Sequence, residues 1–74
     1  MGVIYYRFKS LKEWVTLEIP EDSIHVNKLR VLIMEREGLR RAFLLLSDPF
    51  RGRLYDWYIP SRSQVIVVRT PKWL

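Results

Sequence analysis

The stretch His25-Val26-Asn27-Lys28-Leu29-Arg30-Val31-Leu32-Ile33-Met34-Glu35-Arg36-Glu37-Gly38-Leu39 decides how the rest of the chain must fold. Val26, Leu29 and Ile33 fall at i, i+3 and i+7, which lines them up as one apolar stripe at the helical period and predicts a helix over about 26–37. Asp22, Ser23, His25 and Asn27 all offer capping acceptors near its start, and His25 is taken as the N-cap. At the far end Gly38 can adopt the left-handed conformation that closes a helix, with Arg36 complementing the dipole and Leu39 folding back as an apolar clasp. An apolar stripe on one short helix needs a sheet to cover.

The flanking segments supply that sheet. Val3–Phe8, Trp14–Ile19, Ala42–Leu46 and Val65–Arg69 are short and rich in β-branched, aliphatic and aromatic residues. In the first, alternation sets Ile4, Tyr6 and Phe8 on one face and Tyr5, Arg7 and Lys9 on the other. Ser10–Glu13 is a polar turn, after which Val15, Leu17 and Ile19 face the helix, so the first two strands form an antiparallel hairpin. Pro20 ends that hairpin. The run Ala42-Phe43-Leu44-Leu45-Leu46 is apolar on both faces, which means a central strand or one whose outer face meets something. Ser47–Arg53 carries the Pro and Gly of a turn, Leu54–Pro60 is an irregular aromatic segment, and Gln64–Thr70 is the last strand, stopped by Pro71. The predicted class is α+β: one main helix on a mixed sheet of four to five strands, in a single domain spanning 1–74.

A chain of 74 residues hides only about 60% of its unfolded surface, which places the net stability near about 5 kcal/mol. It has no cysteine, so neither a disulfide nor a thiolate zinc site helps the core, and a reducing compartment fits. No apolar run approaches the ~18 residues of a membrane span, and the N-terminus lacks the regions of a signal peptide, so the expectation is a soluble intracellular domain. Thirteen basic against eight acidic residues give a net charge of +5, and nine of the thirteen are arginine, which pairs bidentately with carboxylate or phosphate.

The order hairpin, helix, strand, aromatic loop, strand is that of a β-grasp. Val26 to Ile33 followed by Arg36-Glu37-Gly38-Leu39 resembles the helix of ubiquitin and its glycine exit, and Gly52-Arg53-Leu54 with Asp56 and Ile59 resembles the loop before ubiquitin's last strand. Two further stretches, Ile4–Ser10 and Ser63–Pro71, with Ile33–Glu37 between them, resemble the DWNN ("domain with no name") module that opens the retinoblastoma-binding-protein-six family of pre-mRNA cleavage and polyadenylation factors. The resemblance implies a ubiquitin-like fold, a nuclear protein, and a non-catalytic domain that docks on the endonuclease subunit of that machinery. In the family a zinc knuckle and a RING finger follow; this chain stops at Leu74 without their ligands, so it is expected to be an excised domain or a form that has lost the rest. The loop Tyr55–Tyr58 lacks the acidic run usual in the family, and Val31 and Leu32 replace polar helix residues. Ubiquitin is conjugated through a terminal Gly-Gly, whereas here the last residues are Pro71-Lys72-Trp73-Leu74, so docking rather than conjugation is expected.

No catalytic, cofactor or metal site is expected. Glu35 and Glu37 fit a solvated helix face, and the single histidine, His25, has no companions that would make it a metal ligand or half of an acid–base pair. The candidate partner-binding set comes from the strands. If Val65 and Val67 face the helix, Ile66 and Val68 point away, the neighbouring strand adds Leu45, and Arg41, Arg62 and Arg69 rim the patch. Ile66→Glu is then expected to spare the fold and weaken partner binding. The alternatives are a basic RNA-contacting face built from Arg36, Arg40, Arg41, Arg51, Arg53 and Arg62 with Tyr5 as a stacking ring, or self-association through Val31, Leu32 and Met34. A monomer is the expectation.

Overall fold

The structure is a computed structural model, and it describes residues 1–39 and 42–71. Among the described residues, seven strands and one helix follow in the order β1 (Gly2–Phe8), β2 (Val15–Ile19), β3 (Ser23–His25), α1 (Val26–Glu37), β4 (Ala42–Asp48), β5 (Arg53–Leu54), β6 (Tyr58–Pro60) and β7 (Gln64–Pro71). Five of them form the main sheet in the order β2-β1-β7-β4-β5, and β3 pairs with β6 in a separate two-stranded ribbon. The central pair β1 and β7 is parallel while its flanking pairs are antiparallel, so the sheet is mixed. This is the ubiquitin-like β-grasp.

Alternation explains the layers. Ile4 and Tyr6 of β1, Leu17 and Ile19 of β2, Leu44 and Leu46 of β4, and Val65 and Val67 of β7 are all buried on one face of the sheet. Val26, Leu29 and Ile33 of α1 are buried against them, and Ile24 and Ile59 of the ribbon close the same core. The helix therefore covers one face only, and the other is left to side chains of the strands themselves.

The helix ends are set as their residues dictate. His25 at the N-cap is extended (φ −68°, ψ 141°), and its Nδ1 accepts the Asn27 N–H at 3.1 Å, satisfying one of the free donors of the first turn. Gly38 has φ 67°, its N–H donates to Glu35 O, and the Leu39 N–H reaches Met34 O at 2.9 Å, the paired bonds of a Schellman exit. Leu39 packs on the core as the clasp.

The departures from the sequence expectation concern strand ends and short pairings, among them β5, which pairs with the end of β4 where the sequence predicts a turn. The second strand starts at Val15 rather than Trp14, and the aromatic segment contains β6, which pairs with β3 just before the helix. Three-residue strands show no periodicity long enough to count, and Pro60 at the end of β6 reads as a breaker until its edge position is known.

The start of β1 is pinned tightly. Ser61 Oγ accepts the Val3 N–H at 3.0 Å, and the Arg62 N–H donates to Val3 O at 2.6 Å. A Cβ built on Gly2 would lie 2.6 Å from the Glu21 carbonyl oxygen and 2.7 Å from Ser61 Oγ. Backbone cannot retreat as a flexible side chain can. Gly2→Ala is expected to cost about 1–3 kcal/mol by forcing these segments apart, read as a lower urea midpoint with an unchanged slope.

Candidate docking surface

The sheet face turned away from the helix is built row by row across the strands. Tyr5 lies between Thr16 and Gln64; Arg7 opposes Ile66, which opposes Ser47; Val68 opposes Leu45; and Thr70 opposes Phe43. Leu45 and Val68 face each other across strands about 4.8 Å apart, and Ile66 lies two residues along β7 on the same side, so the three line one aliphatic strip at the middle of this face. Leu45 and Val68 are half-buried. Phe43 extends the strip towards the edge of β4 and is 45% exposed.

Ile66 points to this face, yet it is only 9% exposed. It sits on a central strand with Arg7 on one side and Ser47 on the other, and the Ser47 hydroxyl donates to Ile66 O at 3.4 Å. A glutamate there would have to give up most of its hydration, so the expectation that Ile66→Glu spares the fold is corrected. Leu45 and Val68 are the positions that can be changed without that penalty.

The arginine rim also differs from the sequence reading. Arg62 stands at the turn before β7, with φ 71°, four residues and roughly 13 Å of strand before Ile66. It lines a cavity with Val3, Glu18 and Ile19 at the far end of the sheet. Arg69 opposes Leu44, which alternation puts on the helix face, and it lines a cavity with Phe8, Glu37 and Leu39 beside the helix exit. Arg41 lies outside the described residues, as does Arg40. Arg69 lines its cavity together with Val68, though by parity from the opposite face, and Arg62 does not border the strip.

Two other arginines do. The Arg7 guanidinium lies 5.4 Å from the centroid of the Trp14 ring, and its Nη1 donates to the carbonyls of Leu11 at 2.8 Å, Phe8 at 3.4 Å and Lys9 at 3.5 Å. On the opposite flank Arg30 leaves the helix, wraps the edge of β4 and lies 4.7 Å from the centroid of Phe43. Its Nε donates to Leu44 O at 2.8 Å and its Nη1 to Asn27 Oδ1 at 2.6 Å. Together with the Tyr55 N–H, which donates to Leu46 O at 2.8 Å, this occupies outward carbonyls of β4 and blunts that edge against strand addition. Alternation alone shows Arg7 facing outward. Its place beside Ile66 depends on the parallel pairing of β1 with β7, a contact between chain ends that no local pattern reports.

The remaining candidates occupy separate places. Arg36 lies in the last turn of the helix and Arg51 and Arg53 flank Gly52, so the described arginines of the expected basic face are spread over distinct elements, and Arg51 Nε lies 4.0 Å from Asp48. Tyr5 is half-buried on the outer face. His25, Trp57 and Tyr58 form an edge-to-face trio with centroids 5.2–5.4 Å apart at the helix start, where the Val26 N–H donates to Trp57 O. Val31 is exposed on the helix, while Leu32 and Met34 pack partly against the core. Glu37 accepts the Tyr6 hydroxyl at 2.6 Å, and burial, reinforced by that carboxylate and opposed by Arg36, pushes the Tyr6 phenol well above its ordinary value.

Compared with known families, residues 4–71 match the family model of the DWNN domain, nearly the whole chain. No curated protein matches the chain.

Proposed function

From the premise that this chain belongs to the DWNN-domain family of ubiquitin-like interaction domains, we propose that it is a non-catalytic docking module of a nuclear pre-mRNA cleavage and polyadenylation factor. Its partner is the endonuclease subunit of that machinery, and the contact is made by the open face of the sheet. The observation that carries this reading is the aliphatic strip Leu45, Ile66 and Val68 on adjacent strands of the one face the helix leaves uncovered. Apolar side chains gathered at the middle of a small sheet, with polar groups around them, have the make-up of an interface centre and its rim. The half-buried members lose little on folding when they are changed and lose most in a complex that would enclose them.

The test is co-purification of the domain with the tagged endonuclease subunit, against the double variant Leu45→Gln, Val68→Gln. The wild-type domain is expected to co-purify, and the variant to bind at least about tenfold more weakly, because two truncated anchors in a desolvated centre cost about 1–2 kcal/mol each. Equal recovery of both, with unfolding midpoints that agree, rejects this face as the docking surface.

A further inference from the structure

Arg7 is the side chain on the open face whose state asks for a ligand. Among the described residues the ion pairs are the Met1 amino group with Asp22 at 3.9 Å and Arg51 with Asp48 at 4.0 Å, so Arg7 has no carboxylate partner there. Its recorded hydrogen bonds all leave from one nitrogen, Nη1, and all end on backbone carbonyls. A guanidinium carries five N–H donors in a rigid plane, and Nε and Nη2 together form the side-on fork that fits both oxygens of a carboxylate. Arg30 is different, because Nε and Nη1 are both already used. Lys9, exposed in the turn just after β1, adds a second positive charge close to Arg7 in the chain, and Ile66 lies directly opposite Arg7.

We propose that Arg7 is the specificity residue of the docking surface, receiving the carboxylate of a partner Asp or Glu through Nε and Nη2 while the apolar neighbours of that residue lie on Ile66, Val68 and Leu45. This rests on the docking reading above and adds the chemistry of the partner segment: an acidic side chain flanked by apolar ones. Two features favour a fixed recognition role. Trp14 and the Leu11 carbonyl hold the guanidinium in one orientation, so little rotamer freedom is lost on binding. Among the described residues the cation is held in no ion pair, so binding need not break one there.

The experiment measures affinity for the purified endonuclease subunit by calorimetry with wild-type domain, Arg7→Lys, Arg7→Ala and Arg62→Ala, each checked for an unaltered urea midpoint, at two salt concentrations. Arg7→Ala is expected to bind at least about tenfold more weakly and with a flatter salt dependence, since the lost contact is a charged one. Arg7→Lys, which keeps the charge without the fork, falls between, and Arg62→Ala stays within about twofold. Phosphatase treatment of the partner leaves the wild-type affinity unchanged. Wild-type binding that Arg7→Ala shares within about twofold, or with the same salt dependence, overturns the assignment of Arg7 while the docking reading stands. Affinity lost on dephosphorylation overturns the carboxylate in favour of a phosphate. Absence of wild-type binding overturns the docking reading and this inference with it.

Discussion

Leu29→Ala is expected to lower the free energy of unfolding by about 2–5 kcal/mol, enough to leave a domain of about 5 kcal/mol largely or wholly unfolded at room temperature. Leu29 is the middle residue of the helix stripe, fully enclosed between Val26 and Ile33 on its own helix and the inward side chains of the sheet. Truncating it removes buried methyl groups and leaves a void, and a helix held between the Gly38 exit and the His25 cap has limited freedom to settle into that void. The matched control is Val31→Ala, at a position 51% exposed on the same helix. There the loss of contact is small and alanine has the higher helix propensity, so stability should move by less than about 0.5 kcal/mol. Urea unfolding of both variants gives the comparison, and similar losses at Leu29 and Val31 would contradict the placement of the stripe.

The second large effect concerns Tyr6, whose ring is enclosed in the core while its hydroxyl reaches Glu37 at the end of the helix. Tyr6→Ala is expected to cost about 3–5 kcal/mol, as for other large aromatic truncations. Tyr6→Phe keeps the ring and loses only the bond to an exposed carboxylate, for about 1 kcal/mol. The two variants separate packing from hydrogen bonding at one position. The phenol also makes stability depend on pH in a definite direction. Its folded value is raised, chiefly by burial and then by Glu37, above the ordinary phenol value near 10. The stabilising contribution is therefore complete below about pH 10 and is lost as the pH climbs from there towards the raised folded value. Tyr55, raised mainly by burial, contributes in the same sense. Unfolding midpoints measured from pH 8 to 11 should fall above about pH 10 in the wild type and fall less steeply in Tyr6→Phe. Parallel profiles would show that Tyr6 does not carry the alkaline loss.

What the sequence made legible is what rests on local periodicity. The helix over 26–37, the His25 cap, the Gly38 exit and the inward sets Ile4 and Tyr6, Leu17 and Ile19, Leu44 and Leu46, Val65 and Val67 follow from spacing within one segment, and each is in place. What escaped depends on which segment lies beside which. The ribbon of Ser23–His25 with Tyr58–Pro60 joins residues far apart in sequence through strands too short to show alternation. Two of the expected rim arginines, Arg62 and Arg69, sit elsewhere for two physical reasons, while Arg41 lies outside the described residues. A residue at a strand end keeps its parity, so Arg69 shares the face of Val65 and Val67, and a residue in the preceding turn, such as Arg62, lies too far along the strand to reach the strip. The arginines that do flank it come from the first strand and from the helix. Arg7 arrives there through parallel pairing of the two ends of the chain, and Arg30 by wrapping a strand edge.

Of the arginines of the alternative basic face, Arg36, Arg51, Arg53 and Arg62 are distributed over the last helical turn, two turns and β5, with Asp48 and Asp56 beside the pair that flanks Gly52, while Arg40 and Arg41 lie outside the described residues. Charge counted along a sequence becomes a field only where the fold gathers it. The fold gathers aliphatic side chains instead, on the face opposite the helix.

The most direct measurement of the central claim is an amide chemical-shift titration of the isotope-labelled domain with the unlabelled endonuclease subunit. Docking through the open sheet face predicts shifts and broadening confined to Arg7, Leu45, Ile66, Val68 and their strand neighbours, with the helix and the Trp57–Tyr58 segment unaffected. Perturbations centred on His25, Trp57 and Tyr58, or on the exposed helix face at Val31, with the outer strands silent, would contradict it.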